Sequence, residues 1–265
     1  MIDITYAQWQ GWLQLFFWPT LRILAFTMAS PLWSMPSLPR QVRVLFGVGI
    51  AVAIAPALPA MPTIPIVSLE GLGLMVQQIL IGVAMGLVLR IMIAVVLTAG
   101  EFISMQMGLG FATFYQPDSG TNTMVLSRIL EMFTLLMFLA MNGHLIALEI
   151  LAWSFEMLPI GTTSIDASFA ETLARWGGTI FTSGMLMAVP IMTALLMINL
   201  SLGILNRASP QLSIFSVGFP MTLTAGLVLM TALIPSLGNF WGDLFSQQLQ
   251  FMQGIIEQMS GANGS

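Results

Sequence analysis

The sequence WGGTIFTSGMLMAVPIMTALLMINLSLGILN, residues 176–206, contains no charged side chain. An α-helix of about 20 apolar residues crosses the roughly 30 Å hydrocarbon core of a bilayer, so this stretch is long enough to span a membrane. Charge-free runs also cover residues 44–69, 71–89, 132–148 and 208–242. The pattern therefore predicts a series of membrane-spanning helices.

The overall composition favours the same conclusion. Of the 265 residues, 57% are hydrophobic and only 7% are charged, whereas a soluble domain carries roughly a quarter charged residues. So few charges exclude an ordinary soluble enzyme. We predict an all-α membrane protein whose long, bent apolar helices form hairpins and pack into a larger helical assembly. Six spans are predicted, at about residues 12–33, 43–60, 72–97, 129–151, 178–200 and 219–238.

The charged residues predict an orientation and exclude one class of partner. All seven basic residues are arginines, and five of them flank the connections between spans 1 and 2, 3 and 4, and 5 and 6: Arg40, Arg43, Arg90, Arg128 and Arg207. The positive-inside rule places these connections in the cytoplasm and both termini on the periplasmic side. The net charge of −4 and the lack of a basic cluster exclude nucleic acid as a partner.

The residues of common catalytic and metal sites are almost absent. The chain has no Cys and a single histidine, His144, which excludes a disulfide framework, a thiolate zinc site and a two-histidine metal motif. It has no Lys, which excludes the P-loop that binds nucleotide phosphates. The sequence therefore predicts no catalytic residue, no metal site and no cofactor.

The connection between the third and fourth predicted spans is the most unusual segment. Residues 100–128 read GEFISMQMGLGFATFYQPDSGTNTMVLSR, too apolar for a solvated loop and too rich in Gly, Pro and Asn for a regular helix. Irregular backbone at membrane depth persists only where it is buried in protein or lines a cavity. One interpretation is a hinged aromatic plug or re-entrant loop that blocks a pore. The alternative is an interfacial loop whose aromatic rings lie among the lipid headgroups.

Three of the ionisable residues within the predicted spans suggest internal contacts, because intramembrane charges are costly. Arg90 and Glu131 lie near the cytoplasmic ends of spans 3 and 4, where an ion pair across the hairpin is one interpretation. The alternative for Arg90 is a side chain that snorkels to the interface. Arg22 is the deepest basic residue and is expected to face a protein neighbour.

The connection between spans 5 and 6 predicts a short polar tip. Arg207 is followed by a Ser-Pro turn, and Pro210 and Gln211 complete the tip. Such a tip either simply closes the hairpin or docks on a cytoplasmic partner or on neighbouring hairpins.

Two local patterns predict a helix start and a helix face. Ser168 and Glu171 have the spacing of a capping box at the entry to span 5. Near the C-terminus, apolar residues recur on one helical stripe, which predicts an amphipathic helix that lies on a membrane or on another subunit. The stripe consists of Trp241, Phe245, Leu249, Met252 and Ile256.

An ordered series of short motifs resembles the FliR family, the membrane subunit of the flagellar type III export gate that is called SctT or SpaR in injectisomes. The resemblance extends over about residues 12–259. Its most specific pieces are Gly100-Glu101 with Gln106-Met107-Gly108, Asp118, Asn142-Gly143-His144, Ser154-Phe155 with Pro159, and Arg207-Ala208-Ser209-Pro210-Gln211 with Gly218-Phe219-Pro220. Each piece is weak alone, and the series is specific.

The resemblance implies a protein-conducting gate assembled with FliP-like and FliQ-like subunits and in contact with an FlhB-like switch protein. Residues 1–175 would be the FliP-like part, with a plug loop at about 100–128. Residues 176–259 would be a FliQ-like hairpin plus the amphipathic helix, and 260–265 a disordered tail. The implied location is the bacterial inner membrane in the flagellar basal body, and the implied substrates are unfolded export proteins.

The same resemblance assigns roles to individual residues. Residues 108–122 would form the plug, with Phe111, Phe114 and Tyr115 as its occluding side chains, and residues 207–211 would form the cytoplasmic loop of the FliQ-like hairpin. The full set of predicted plug residues is Met105, Met107, Gly108, Gly110, Phe111, Phe114, Tyr115, Gln116, Pro117 and Asp118.

Two other functions compete with this hypothesis. A multi-pass secondary solute transporter also uses helices broken by Gly and Pro, but it normally carries a polar cluster at mid-membrane and repeat symmetry. A purely structural scaffold for assembly would export normally after substitutions in the plug.

Overall fold

The computed structural model describes residues 6–35, 37–58, 62, 64–110, 124–161, 166–208 and 218–261. Over these residues the chain forms eight α-helices and one short 3-10 helix, Ala55–Ala57, and no strand is present there. This architecture confirms the all-α prediction. The α-helices are α1 (Tyr6–Ala29), α2 (Arg40–Ile54), α3 (Leu69–Gln106), α4 (Val125–Ala140), α5 (Gly143–Met157), α6 (Ser168–Trp176), α7 (Thr179–Ala208) and α8 (Phe219–Met259).

The number of candidate membrane spans is smaller than predicted. In the described ranges, three helical segments are long and apolar enough to cross a bilayer: Arg40–Ala57, Leu69–Gln106 and Ser168–Arg207. The number rises to five if each of two bent pairs is one span: Val125–Ala140 with Gly143–Met157, and Phe219–Leu233 with Leu237–Met259. Five of the six predicted spans overlap these segments, and α1 is not among them.

Two polar side chains of the first predicted span bond to protein. Residues 12–29 of this span lie in α1, which carries the polar side chains of Gln14 and Arg22. Both side chains bond to protein: the Gln14 amide donates to the carbonyl oxygen of Ile64 at 3.0 Å, and Arg22 bonds to the side chain of Gln78. A helix whose polar groups are satisfied by protein does not need a purely apolar sequence.

The helices form two compact units. Unit 1 consists of Met1–Ile91, Asn142–Trp176 and Ser246–Ser265, and unit 2 consists of Met92–Met141 and Gly177–Phe245. The family resemblance implies a different division, near residue 175, between a FliP-like part and a FliQ-like part. That division concerns likeness to other subunits, and it stays a prediction.

In unit 1, α1 packs on α3 through two glycines that lie one helical turn apart. A Cβ atom on Gly82 would overlap the carbonyl oxygen of Arg22, and a Cβ atom on Gly86 would lie 2.5 Å from the Cβ atom of Ala29. This G-x-x-x-G spacing is typical of membrane helices whose backbones approach closely. The close approach surrounds Arg22 and the buried ring of Phe26 with protein.

In unit 2, α4 and α7 pack on the second half of α3, again at glycines. A Cβ atom on Gly100 of α3 would lie 2.6 Å from the Cα atom of Ser127 in α4. A Cβ atom on Gly184 of α7 would lie 2.9 Å from the carbonyl oxygen of Val95. The first residues of the segment 100–128, predicted to be irregular, therefore continue α3 as regular helix to Gln106, because Gly100 serves helix packing there.

The first part of α8 joins unit 2 through aromatic side chains. The indole N–H of Trp241 donates to the hydroxyl of Thr134 at 3.1 Å, and the rings of Phe138 and Phe245 meet edge to face with centroids 5.3 Å apart. The predicted apolar stripe of the C-terminal helix is confirmed, since each of its members is buried. It packs within the chain itself, and the predicted sixth span and amphipathic helix are the two parts of α8, which bends by 68° between Leu233 and Leu237.

The start of α6 differs from the prediction of a capping box. The carboxylate of Asp166 accepts from the backbone N–H of Ser168 at 3.0 Å and from its hydroxyl at 2.8 Å. Glu171 instead forms an ion pair with Arg175 at 2.7 Å. Asp166 is the stronger acceptor for the first free N–H groups of the helix because it is charged.

Candidate functional site

The end of α3 has the geometry of a Schellman motif, and this end carries the first predicted plug residues. Gly108 has a φ of 85°, a left-handed conformation that favours glycine. The N–H of Gly108 donates to the carbonyl of Met105 at 3.0 Å, and the N–H of Leu109 donates to the carbonyl of Ser104, also at 3.0 Å. These two bonds satisfy the carbonyls that a helix end otherwise leaves free and stop α3 at a defined residue.

The Schellman motif does not supply a donor to the carbonyls of Gln106 and Met107. Side chains from α7 and α8 donate hydrogen bonds to them instead. The hydroxyl of Thr222 in α8 donates to the Met107 oxygen at 3.1 Å, and the amide of Asn199 in α7 donates to the Gln106 oxygen at 3.5 Å. Buried backbone carbonyls are rarely left without a partner. The end of α3 is therefore held by both of these helices.

A packing contact supplements these hydrogen bonds. Met107 is 1% exposed, and its side chain lies over Gly226 of α8, where an added Cβ atom would come within 2.7 Å of the Met107 Cγ and Cε atoms. The neighbouring Met105 is 55% exposed and takes no part in this contact. We call Asn199, Thr222 and Gly226 together the α3 clasp.

The remaining predicted plug residues begin directly after this anchor. Gly110 directly follows the turn at residues 107–109, and among the described residues a Cβ atom there would meet the methyl group of Met124, at 3.8 Å. The other six lie outside the described residues: Phe111, Phe114, Tyr115, Gln116, Pro117 and Asp118. The structure thus describes the helix end that precedes the predicted plug, and the plug itself stays a prediction.

A second polar site, in unit 1, is built around Arg22, which is fully buried. Its Nε donates to the Gln78 side chain at 2.8 Å, its Nη1 donates to the Ser154 carbonyl at 2.8 Å and the Ser154 hydroxyl at 3.1 Å, and its Nη2 donates to the Leu158 carbonyl at 2.9 Å. The guanidinium carbon lies 4.2 Å from the ring centroid of Phe155. The expected protein neighbour of Arg22 is therefore the end of α5 together with α3.

The electrostatics of this site depend on a helix end instead of a carboxylate. The two backbone acceptors, Ser154 and Leu158, are in the last turn and the cap of α5, where the free carbonyls carry the negative end of the helix dipole. A planar guanidinium with several donors fits this cluster of oxygens, and the Phe155 ring adds a cation–π contact. Arg22 thus joins α1, α3 and α5.

The sequence-based reasoning missed the partners of Arg22, although two signals could have indicated them. Gly82 and Gly86 have the G-x-x-x-G spacing that predicts a close helix neighbour. The motif Ser154-Phe155 supplies an acceptor and a ring at adjacent positions. What the sequence could not indicate is that α5 ends at this point against α1.

The predicted ion pair of Arg90 with Glu131 would join residues of different units, and it stays a prediction. Glu131 pairs with Arg128 at 3.0 Å, since residues three apart on one helix face the same side. The side chain of Arg90 is exposed on α3. Arg207 is also exposed and lies in the last turn of α7, while Pro210 and Gln211, the rest of the predicted tip, lie outside the described residues.

No cluster of three His, Asp or Glu side chains that could hold a metal ion occurs in the part of the chain that the structure describes. The candidate site consists of a helix end that side chains hold and a following segment whose sequence is rich in glycine and aromatic residues.

Comparisons with known proteins identify the family. The sequence pattern of the family described as "Bacterial export proteins, family 1" matches residues 13–248. The flagellar biosynthetic protein FliR of Escherichia coli (strain K12) is 46% identical over 259 residues, which cover 98% of this chain and 99% of that protein. The FliR proteins of Pectobacterium carotovorum and Bacillus subtilis (strain 168) are 43% and 27% identical, over 98% and 89% of this chain and 100% and 92% of theirs. With a family pattern and relatives that match along nearly its whole length, the chain belongs to the FliR family of bacterial export proteins.

Proposed function

We propose that this chain, a flagellar biosynthesis export protein of the membrane, is a core subunit of the type III protein export gate. It forms the protein-conducting channel with FliP-like and FliQ-like subunits, contacts an FlhB-like switch protein and contributes the plug that closes the channel. The assembly lies in the inner membrane within the flagellar basal body, and unfolded flagellar proteins pass through it. The chain has no catalytic role, and the energy for export is supplied elsewhere in the apparatus.

The observation that carries this proposal is the anchored end of α3. A plug must be attached rigidly at its base and must be able to change direction beyond it. The base is held by Thr222 and by the packing of Met107 on Gly226. Gly108 and Gly110, directly after the base, permit backbone conformations that other residues disfavour. The aromatic residues of segment 111–115 follow within a few residues.

The exposed face of α7 supports the presence of partner subunits or lipid around unit 2. Six large apolar side chains of this helix are at least 60% exposed, which a stable surface in water does not tolerate. They are Phe181, Leu186, Leu196, Met197, Leu200 and Ile204. In the proposed assembly these side chains pack against neighbouring helices or acyl chains.

The plug is tested by replacing residues 108–122 with a Gly/Ser linker of equal length, which keeps α3 and α4 connected. The variant complex is purified with its co-purifying membrane subunits and reconstituted into liposomes, and potassium efflux is measured. We expect a large increase in efflux at unchanged subunit composition, because nothing occludes the channel. A sharper variant replaces Phe111, Phe114 and Tyr115 with Ala.

The control is a substitution of similar bulk outside the segment, Phe181→Ala on the exposed face of α7. Efflux that stays at the wild-type level in both plug variants would contradict the plug role and favour a scaffold. Stabilisation of the purified chain by a small solute would instead favour a transporter.

A further inference from the structure

The hydroxyl group of Thr222 lies at equal distance from two carbonyl oxygens. One is the Met107 oxygen at the end of α3, at 3.1 Å, and the other is the Phe219 oxygen in the first turn of α8, also at 3.1 Å. A hydroxyl has a single hydrogen to donate, so the two acceptors compete for it. When the hydroxyl turns to Phe219, Thr222 keeps a hydrogen bond while the end of α3 loses one.

We propose that the α3 clasp is a releasable latch, through which the hairpin formed by α7 and α8 controls the position of the α3 end. In the latched state Thr222 and Asn199 bind the last two carbonyls of α3, and Met107 packs on Gly226. In the released state the Thr222 hydroxyl bonds within its own helix, and the α3 end moves away from α8. This proposal rests on the proposed function, since it names the regulation of the same gate.

The geometry explains two features of release: it costs α8 little free energy, and it requires motion of the hairpin. Thr222 exchanges one acceptor for another, so no buried donor is left without a partner. Met107, in contrast, is buried against a glycine and cannot leave unless α8 shifts, because its side chain fills the space that a Cβ atom at position 226 would occupy. Movement of the hairpin and freedom of the α3 end are therefore coupled.

The space for such a shift is present beside the clasp. A groove of about 300 Å³ lies between α7 and α8 and is lined by Met197, Ser201 and Leu205 of α7 and by Met221, which precedes Thr222. Closely packed helices resist displacement, whereas a groove leaves side chains without opposing atoms. The two helices can therefore rearrange at the level of the clasp.

The first test measures hydrogen exchange of the Gly108 and Leu109 amides in the full-length protein, by mass spectrometry of peptides that cover this turn. Thr222→Val removes the hydroxyl and keeps the shape of the side chain, whereas Thr222→Ser keeps the hydroxyl. Thr224→Val is the matched control, because Thr224 is exposed and its hydroxyl bonds only within α8, to Pro220 at 2.8 Å and Met221 at 3.1 Å. We expect exchange about fivefold faster in Thr222→Val, the effect of losing one hydrogen bond, and wild-type rates in the Ser and control variants.

A second pair of variants tests the packing half of the clasp without removing a polar group. Gly226→Ala forces the Met107 side chain to move, and Gly203→Ala adds the same methyl group to α7, where no atom of the described residues lies within 4 Å. Faster exchange at Gly108 in Gly226→Ala and not in Gly203→Ala supports the latch. Equal exchange rates in Thr222→Val and Thr224→Val, together with equal rates in the two glycine variants, would overturn it.

Potassium efflux from liposomes with the assembled complex separates this proposal from the proposed function. If the linker replacement of residues 108–122 raises efflux and Thr222→Val does so to a smaller degree, both proposals are supported. If the replacement raises efflux and neither clasp variant changes efflux or exchange, the latch is wrong and the plug stands. If the replacement changes nothing, the plug is wrong, and the exchange rates alone decide whether the α3 end is latched.

Discussion

The Nη2 atom of Arg22 lies 2.9 Å from the carbonyl oxygen of Leu158, the residue that caps α5. The positive charge of Arg22 in α1 thus binds the negative end of the α5 dipole, although α5 ends more than a hundred residues later in the chain. The contact is buried and involves no carboxylate, so its strength does not depend on the ionisation of an acidic partner.

Replacement of Arg22 by Met should destabilise the protein strongly. The apolar side chain leaves the side-chain oxygen of Gln78 and the carbonyl oxygen of Leu158 without the buried donor that Arg22 supplies, which costs about 3–5 kcal/mol, whereas the Ser154 carbonyl still accepts from the N–H of Leu158. Arg22→Lys should cost less, since an ammonium group still donates but cannot reach all of these oxygens in one plane. Thermal unfolding in detergent measures both, with Arg175→Met as the control because Arg175 is exposed. Equal melting temperatures for Arg22→Met and the control would contradict a structural role of this site.

Substitution of Gly82 tests the close approach of α1 and α3. In Gly82→Ala the new methyl group overlaps the backbone oxygen of Arg22, which cannot move as a flexible side chain can. We expect a loss of about 1–3 kcal/mol, the usual cost of an overpacked interface. Gly73→Ala, in the same helix with nothing within 4 Å, should be neutral or slightly stabilising. If the two variants unfold at the same temperature, the helices do not pack as closely as the structure indicates.

Gly108→Ala should weaken the end of α3. At a φ of 85° a Cβ atom is strained, which costs about 1–2 kcal/mol. The local effect is expected to be faster amide exchange at Leu109, whose N–H closes the Schellman motif. Gly203→Ala, near the C-terminal end of α7, provides a control with ordinary helical backbone. Unchanged exchange at Leu109 would mean that residue 108 does not adopt the left-handed conformation.

The start of α6 should respond to acid through Asp166. Hydrogen bonds from the N–H and hydroxyl groups of Ser168 hold the pKa of the Asp166 carboxyl below its ordinary value. The carboxylate therefore stabilises α6 at pH values above the unfolded pKa of about 3.9, and this contribution is lost as the pH falls through the lower folded pKa. The melting temperature of Asp166→Ala should lie below that of the wild type at neutral pH and approach it in acid. Asp166→Asn, which accepts a bond but does not titrate, should show no such convergence.

The sequence alone predicted the class of the protein and most of its helices. The charge-free runs became α3, α7 and the first half of α8, because a chain of apolar residues in a membrane satisfies its backbone within helices. The stripe from Trp241 to Ile256 was predicted correctly, since helical periodicity is a local property. The capping box at Ser168 was predicted incorrectly, because the charged side chain of Asp166 also lay within reach of the helix start and the local pattern could not select between the two.

The sequence by itself determined that this is an all-α membrane protein with few charges and, through its motifs, that it resembles one export family. Only the tertiary structure decided which polar groups meet: Arg22 with the end of α5, and Thr222 with the end of α3. The physical reason is that hydrophobicity and helix periodicity depend on near neighbours in the chain. The satisfaction of a buried donor or a free helix carbonyl depends on residues a hundred positions away, which only the folded chain brings together.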